Sequence, residues 1–180
     1  GIGCIGMSAL ARYFKAAGKQ VCGYDKTPTS LTKALEQEGI HVHFEDSVDQ
    51  LPEYLSGMGE NPEALIIYTP AIPKNHTEYN HLLECGYRIW KRSEDLGLIT
   101  RDATTIAVAG THGKTTTSTM IAHILRFNKV DCTAFLGGIS KNYQTNLLLA
   151  GNSACKEVVI VEADEFDRSF LTLHPDIAVI

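Results

Sequence analysis

A chain of 180 residues, 44% hydrophobic and 21% charged, has ordinary globular composition and enough length to bury a core, as one large domain or two small ones. Its formal net charge of −5 and its lack of any long run of like charge exclude nucleic acid as a partner, because such binding rests on clustered Lys and Arg. No apolar run approaches the roughly 20 residues of a membrane span, and the first eleven residues lack a signal peptide's basic flank before Arg12 and Lys15.

The first predicted helix carries Leu10, Tyr13, Phe14 and Ala17 at helical spacing and stops at Gly18. QVCGYD then reads as a strand. Leu31, Ala34, Leu35 and Glu38 mark a second helix ending at Gly39, followed by a short strand, IHVHF. ALIIYTP, residues 64–70, is a nearly unbroken apolar run, the pattern of a strand buried on both faces of a parallel sheet. Tyr79, Leu82 and Leu83 form a third helical stripe, ended by Gly86 before the strand YRIW. This βαβ succession implies a doubly wound sheet.

The charged stretch KRSEDLGLITRD, residues 91–102, breaks that rhythm, and we place a domain boundary near residue 100. TTIAVAG restarts as a buried strand, leading through GTHGKTTT into a helix with an apolar face of Met120, Ile121, Ile124 and Leu125. Strands follow at CTAFLG, EVVIVEAD and DIAVI. The expected fold class is α/β: a Rossmann-like parallel-sheet domain over 1–100, then the start of a P-loop-type domain over 101–180. The glycine turn at Gly1 has no strand before it and DIAVI has no turn after it, so the chain is expected to be a fragment with an incomplete second sheet and exposed strand edges. Five dispersed cysteines, Cys4, Cys22, Cys85, Cys132 and Cys155, form no metal-ligand pair and suit free thiols in a reducing cytoplasm.

GTHGKTT, lying between a predicted strand and a predicted helix, has the setting of a phosphate loop. Gly110 and Gly113 permit a sharp turn that brings backbone N–H groups close to anionic oxygens, and the helix adds its positive N-terminus. Lys114 can reach β- and γ-phosphates, and the Thr115 hydroxyl can ligate Mg²⁺. The loop is two residues shorter than G-x-x-x-x-G-K-[ST], with Val108 where that pattern has glycine. A phosphate loop needs a carboxylate at the end of a neighbouring strand. Glu162 ends VVIVE and is the expected metal-binding acid; Asp164, Glu165 and Asp167 either join it or cap the next turn. His112 either faces the nucleotide or solvates the loop.

The opening GIGCIG has the glycine spacing of a dinucleotide turn, and Asp25 follows about where an acid meets a ribose hydroxyl. Such a turn holds a diphosphate on a helix N-terminus without distinguishing NAD from another nucleotide. Two loops in one chain suit a ligase that activates a carboxylate on a nucleotide-diphosphate carrier; an NAD-dependent oxidoreductase with an incidental second glycine turn is the alternative.

The order GIGxxGMSxLA, TPAI, RSE, AGTHGKTTT, EADEFDxSFL and HPDIAVI resembles the Mur ligases of peptidoglycan synthesis, over all 180 residues. The resemblance implies a three-domain enzyme, of which this chain holds the UDP-substrate domain and the opening of the ATP domain. It implies ATP and Mg²⁺ as cofactors, UDP-N-acetylmuramate as the acid activated through an acyl phosphate, and L-alanine as the amine. D-R-S-F-L in the acidic block favours L-alanine over a whole tripeptide. By the motif match Gly110, Thr111, His112, Gly113, Lys114, Thr115 and Thr116 form the ATP loop, and Thr115 with Glu162 holds Mg²⁺. Gly3, Cys4, Ile5, Gly6 and Met7 cradle the UDP diphosphate, while Asp25, Thr69, Pro70, Ala71 and Ile72 line the rest of that site. Cys4 replaces a glycine usual in the family. A histidine that contributes to metal binding in the family would fall past Ile180, and the fragment alone is expected to be inactive. His41 and His43 carry no assigned role; His76, His81 and His174 read as surface or capping residues, and Trp90 as core.

Overall fold

The computed structural model describes residues 1–56, 61, 63–151, 156–164 and 170–180. The opening glycine loop leads into α1 (Ile5–Ala16), followed by β1 (Cys22–Tyr24), α2 (Ser30–Gln37) and β2 (His41–His43). After a 3₁₀ turn, Val48–Gln50, come α3 (Glu53–Ser56), β3 (Ile66–Tyr68), α4 (Thr77–Glu84), β4 (Ile89–Lys91) and α5 (Arg92–Arg101). The remainder is β5 (Thr104–Val108), α6 (Lys114–Phe127), β6 (Cys132–Ser140), β7 (Thr145–Leu148), β8 (Val158–Glu162) and β9 (Ile177–Val179). The three expected helix stops at Gly18, Gly39 and Gly86 all fall just past a helix end.

The fold is α/β, as expected, but its sheets differ from the simplest reading. Among the described residues the early strands make two separate parallel pairs, β1 with β2 and β3 with β4. β3 is only half-buried rather than covered on both faces, and among the described residues it pairs with β4 alone. The main sheet has five strands in the order β7-β6-β8-β5-β9. It is parallel except for β7, which returns antiparallel along β6 as an edge strand missed in the sequence.

The main sheet is the middle of three layers. Along β8 the side chains alternate: Val159 and Val161 join Ala9 and Leu10 of α1 and Leu96 of α5 on one face. Ile160 joins Ala122 of α6 on the other, with Ile106, Ala134 and Leu136. The charged stretch 91–102 is therefore a helix, α5, whose buried face carries Asp95, Leu96, Gly97 and Thr100. Gly97 packs against the Thr172 backbone, so closely that a Cβ would lie 2.5 Å from its carbonyl oxygen.

α6 is rotated from the expected apolar face. Ser118 and Ala122 are buried, Ile121 and Leu125 are partly buried, and Met120 and Ile124 are exposed. Small residues on the buried stripe let the helix lie close to β6 and β8. Consequently its first turn sits over the ends of those strands.

Candidate active site between two glycine loops

β5 ends at Val108, and the chain turns through Gly110 and Gly113, whose φ angles of +112° and +81° suit glycine rather than a side-chain-bearing residue. Gly113 caps α6 without a side-chain hydrogen bond, and the first turn of α6 holds no acidic residue. Its opening N–H groups are thus left to an external anion. Lys114 folds back, Nζ donating to the Gly110 carbonyl at 2.8 Å, and its ammonium stands 3.9 Å from Asp164.

Parallel pairing of β5 with β8 sets Glu162 opposite Val108, beside the loop. Both carboxylate oxygens of Glu162 accept hydrogen bonds: Oε2 from Thr115 Oγ1 at 3.0 Å, Oε1 from Ser118 Oγ at 2.9 Å and from the Gly137 N–H at 2.7 Å. Gly137 keeps open a cradle that a Cβ would fill, since that atom would lie 2.8 Å from Thr115 Oγ1 and collide with Glu162 Oε2. A hydroxyl and a carboxylate converging beside an open cradle are hard oxygen donors. They fit Mg²⁺, which takes few protein ligands and shares the rest of its shell with phosphates and water.

The first loop repeats the uncapped helix start. α1 has Cys4 at its N-cap with no side-chain hydrogen bond and no acid in its first turn. By contrast α2 is capped by Thr29 and Thr32, α4 by His76 and Asp46, and α5 by Glu94. Asp25 stiffens the loop: its Oδ2 accepts from the Gly3 N–H at 2.8 Å and its Oδ1 from the Thr27 N–H at 3.2 Å.

A cleft of about 600 Å³ lies between the loops, walled by Cys4, Ile5 and Gly6 on one side and by Thr111 to Thr116 on the other. Glu162 and Gly137 form part of its floor. Of the expected site residues, Gly3, Met7, Asp25, Gly110 and the turn Thr69, Pro70, Ala71, Ile72 are outside these walls. The Met7 side chain packs against the core beneath α1. Thr111 and His112 are solvent-exposed. Glu165, Asp167 and Cys155 lie outside the described residues; the other four cysteines are free thiols.

Arg92, Ser118 and Gly137 are at the site without having been singled out for a role, and Asp164, read as either joining Glu162 or capping the next turn, lines the cleft beside Lys114. Ser118 lies four residues beyond Lys114, one turn along the same helix face, which is a signal spacing could have given. Arg92 and Gly137 are placed there by tertiary packing alone. Away from the cleft, His43 makes a buried 2.8 Å pair with Glu78, and His76 is a buried capping residue rather than a surface one. Trp90 is half-buried beneath the Arg88 guanidinium, not in the core.

A phosphate-type loop at the carboxyl ends of parallel strands, facing a second open helix start, defines an α/β protein with two helix N-termini suited to anions on one cleft. Residues 1–104 match the Mur ligase catalytic domain model and residues 108–180 the Mur ligase middle domain, and the chain belongs to the Mur ligase family. It is 56% identical over 180 residues to a UDP-N-acetylmuramate–L-alanine ligase of Flavobacterium johnsoniae and 54% identical to one of Cytophaga hutchinsonii, covering all of this chain and 38% of each relative. The chain thus spans well under half the length of these relatives. Among solved structures it resembles a UDP-N-acetylmuramate:L-alanyl-gamma-D-glutamyl-meso-diaminopimelate ligase from Neisseria meningitides, with TM-score 0.83 and 25% identity over 99% of this chain and 57% of that one. It also resembles the UDP-N-acetylmuramate-alanine ligase of Thermotoga maritima, with TM-score 0.80 and 29% identity over 99% of this chain and 39% of that one.

Proposed function

We propose that the chain is the nucleotide-binding portion of a cytoplasmic, ATP-dependent ligase that joins L-alanine to UDP-N-acetylmuramate in peptidoglycan precursor synthesis. The observation that carries this reading is the pair of uncapped helix starts, α1 and α6, opening onto one cleft beside Lys114, Thr115 and Glu162. A dehydrogenase has no use for the second loop, and the family match spans both, so the oxidoreductase alternative is not retained.

In this mechanism the first loop holds the diphosphate of the UDP-sugar on the N–H groups that open α1, and Asp25 keeps that loop in shape. The second loop holds ATP, its N–H groups and Lys114 meeting the β- and γ-phosphates. Thr115 and Glu162 are the residues that would hold Mg²⁺, which supplies charge neutralisation when bound. Positioning and charge neutralisation dominate phosphoryl transfer to a carboxylate, so the chain needs no side-chain nucleophile. Ser118 and the Gly137 N–H keep Glu162 turned toward the loop.

The test is Lys114→Ala in the full-length enzyme. Losing one preorganised cation should lower kcat on the order of 10²–10³-fold, while UDP-N-acetylmuramate affinity stays unchanged. Equal loss of both would make the loop a structural turn. Assaying ADP release with L-alanine and with the tripeptide as competing amines identifies the acceptor.

A further inference from the structure

The third glycine of the first loop has a specific neighbour. A Cβ on Gly6 would lie 2.6 Å from Nη1 of Arg92 and 3.0 Å from its Cζ. In a dinucleotide fingerprint that glycine permits close helix–strand packing; here the space is taken by a guanidinium brought from β4 and α5. Arg92 is the first residue of α5 and follows Lys91, which places two cations at the positive end of a helix. Glu94 and Asp95 complete that first turn, so the guanidinium is not needed there for the helix itself.

Hydrogen bonding does not account for the placement. The ion pair of Arg92 with Asp164 is 3.7 Å long, beyond hydrogen-bonding range, and no hydrogen bond of its donors falls among the described residues. The guanidinium is half-buried in the cleft wall, beside the open start of α1.

We propose that Arg92 is the side-chain cation of the first anion site, seating the diphosphate of the UDP-sugar against the N–H groups that open α1. The proposal rests on the ligase reading above and adds a contact residue to it. A planar guanidinium suits this task because its paired donors match two phosphate oxygens at once. Asp164 stands 3.7 Å from the guanidinium and 3.9 Å from the Lys114 ammonium, between the cations of the two loops.

The experiment is calorimetric titration of the full-length enzyme and its Arg92→Ala, Arg92→Gln and Arg92→Lys variants with UDP, uridine and a non-hydrolysable ATP analogue. Losing a charge-assisted contact should weaken UDP binding about 10- to 100-fold, leaving uridine and the ATP analogue unaffected. Lysine, a point charge, should restore part of the loss. Arg92→Gln keeps most of the side-chain bulk and gives the same comparison if the alanine variant does not fold. Unchanged UDP affinity, or equal weakening of UDP and uridine, overturns the assignment. So does normal UDP binding with slowed ADP formation, which would move Arg92 to the transferring phosphoryl group. If the unaltered enzyme does not bind UDP, the ligase reading itself fails, and that result is distinct from a defect confined to the variants.

Discussion

Asp95 shows what the buried face of α5 costs the molecule. One of its carboxyl oxygens is buried without a partner among the described residues, and burial pushes its pKa from the ordinary 3.8 up to about 6. Tyr13 on α1 is close enough to feel its charge. Because the folded pKa lies above the unfolded one, the folded state holds the extra proton. The stabilising contribution is complete below about pH 3.8 and is lost as pH rises through about 6. Above that, keeping the carboxylate ionised costs at most ~3 kcal/mol, from 1.36 kcal/mol per pKa unit over about two units. Asp95→Asn should therefore raise stability at pH 7 by about 1–3 kcal/mol and flatten the pH dependence between pH 4 and 7. Urea unfolding at several pH values checks this, and an unchanged pH slope would show that the carboxylate is solvated.

Between elements, a buried polar contact runs from α1 to β7. Asn146 is fully buried on β7, and its Nδ2 donates to the Ile5 carbonyl at 2.7 Å and to Ser8 Oγ at 2.9 Å, while Arg12 donates to its Oδ1. It therefore ties the opening turn of α1 to the sheet that carries the second loop. Asn146→Leu keeps the volume but leaves those partners unmatched, so stability should fall by about 1–3 kcal/mol. UDP-sugar affinity should weaken with it while ATP-analogue affinity holds, as measured by denaturation and titration of the same variant. Nothing in the sequence announced this contact, because the antiparallel return of β7 runs along a β6 whose register shifts between Phe135 and Ser140. α5 was hidden for a related reason, since charged residues at 91–95 mask a buried face only four residues deep. What was legible depended on local chemistry. Gly110, Gly113, Lys114 and Thr115 dictate their own turn, and VVIVE needs only one pairing register to bring Glu162 beside them. Arg92 stood in plain view within RSE, but its approach to Gly6 depends on how β4 and α5 pack against α1.

At the scale of the whole molecule, α1 and α6 lie on opposite faces of one sheet, so a single rigid layer separates two helix starts that open at the same edge. The core beneath α1 mixes residues from both halves of the chain, with Leu10 in one cluster with Phe135, Val159 and Leu173. This shared core makes the spacing between the loops a property of the sheet rather than of a linker. It also predicts what the chain can do alone. Both glycine loops and the Thr115–Glu162 pair are within these 180 residues, while the relatives named as ligases are far longer, the chain covering 38% of them. The isolated chain should therefore bind UDP and an ATP analogue with affinities near those of the intact enzyme. It should release no ADP in response to L-alanine, because phosphoryl transfer and amine attack need their groups held together within about 3–3.5 Å and screened from water. A coupled ADP assay on the isolated chain, with and without UDP-N-acetylmuramate and L-alanine, decides the matter. Turnover dependent on L-alanine would mean that the amine site is already built from the cleft described above, and that the additional length of the relatives serves something other than chemistry.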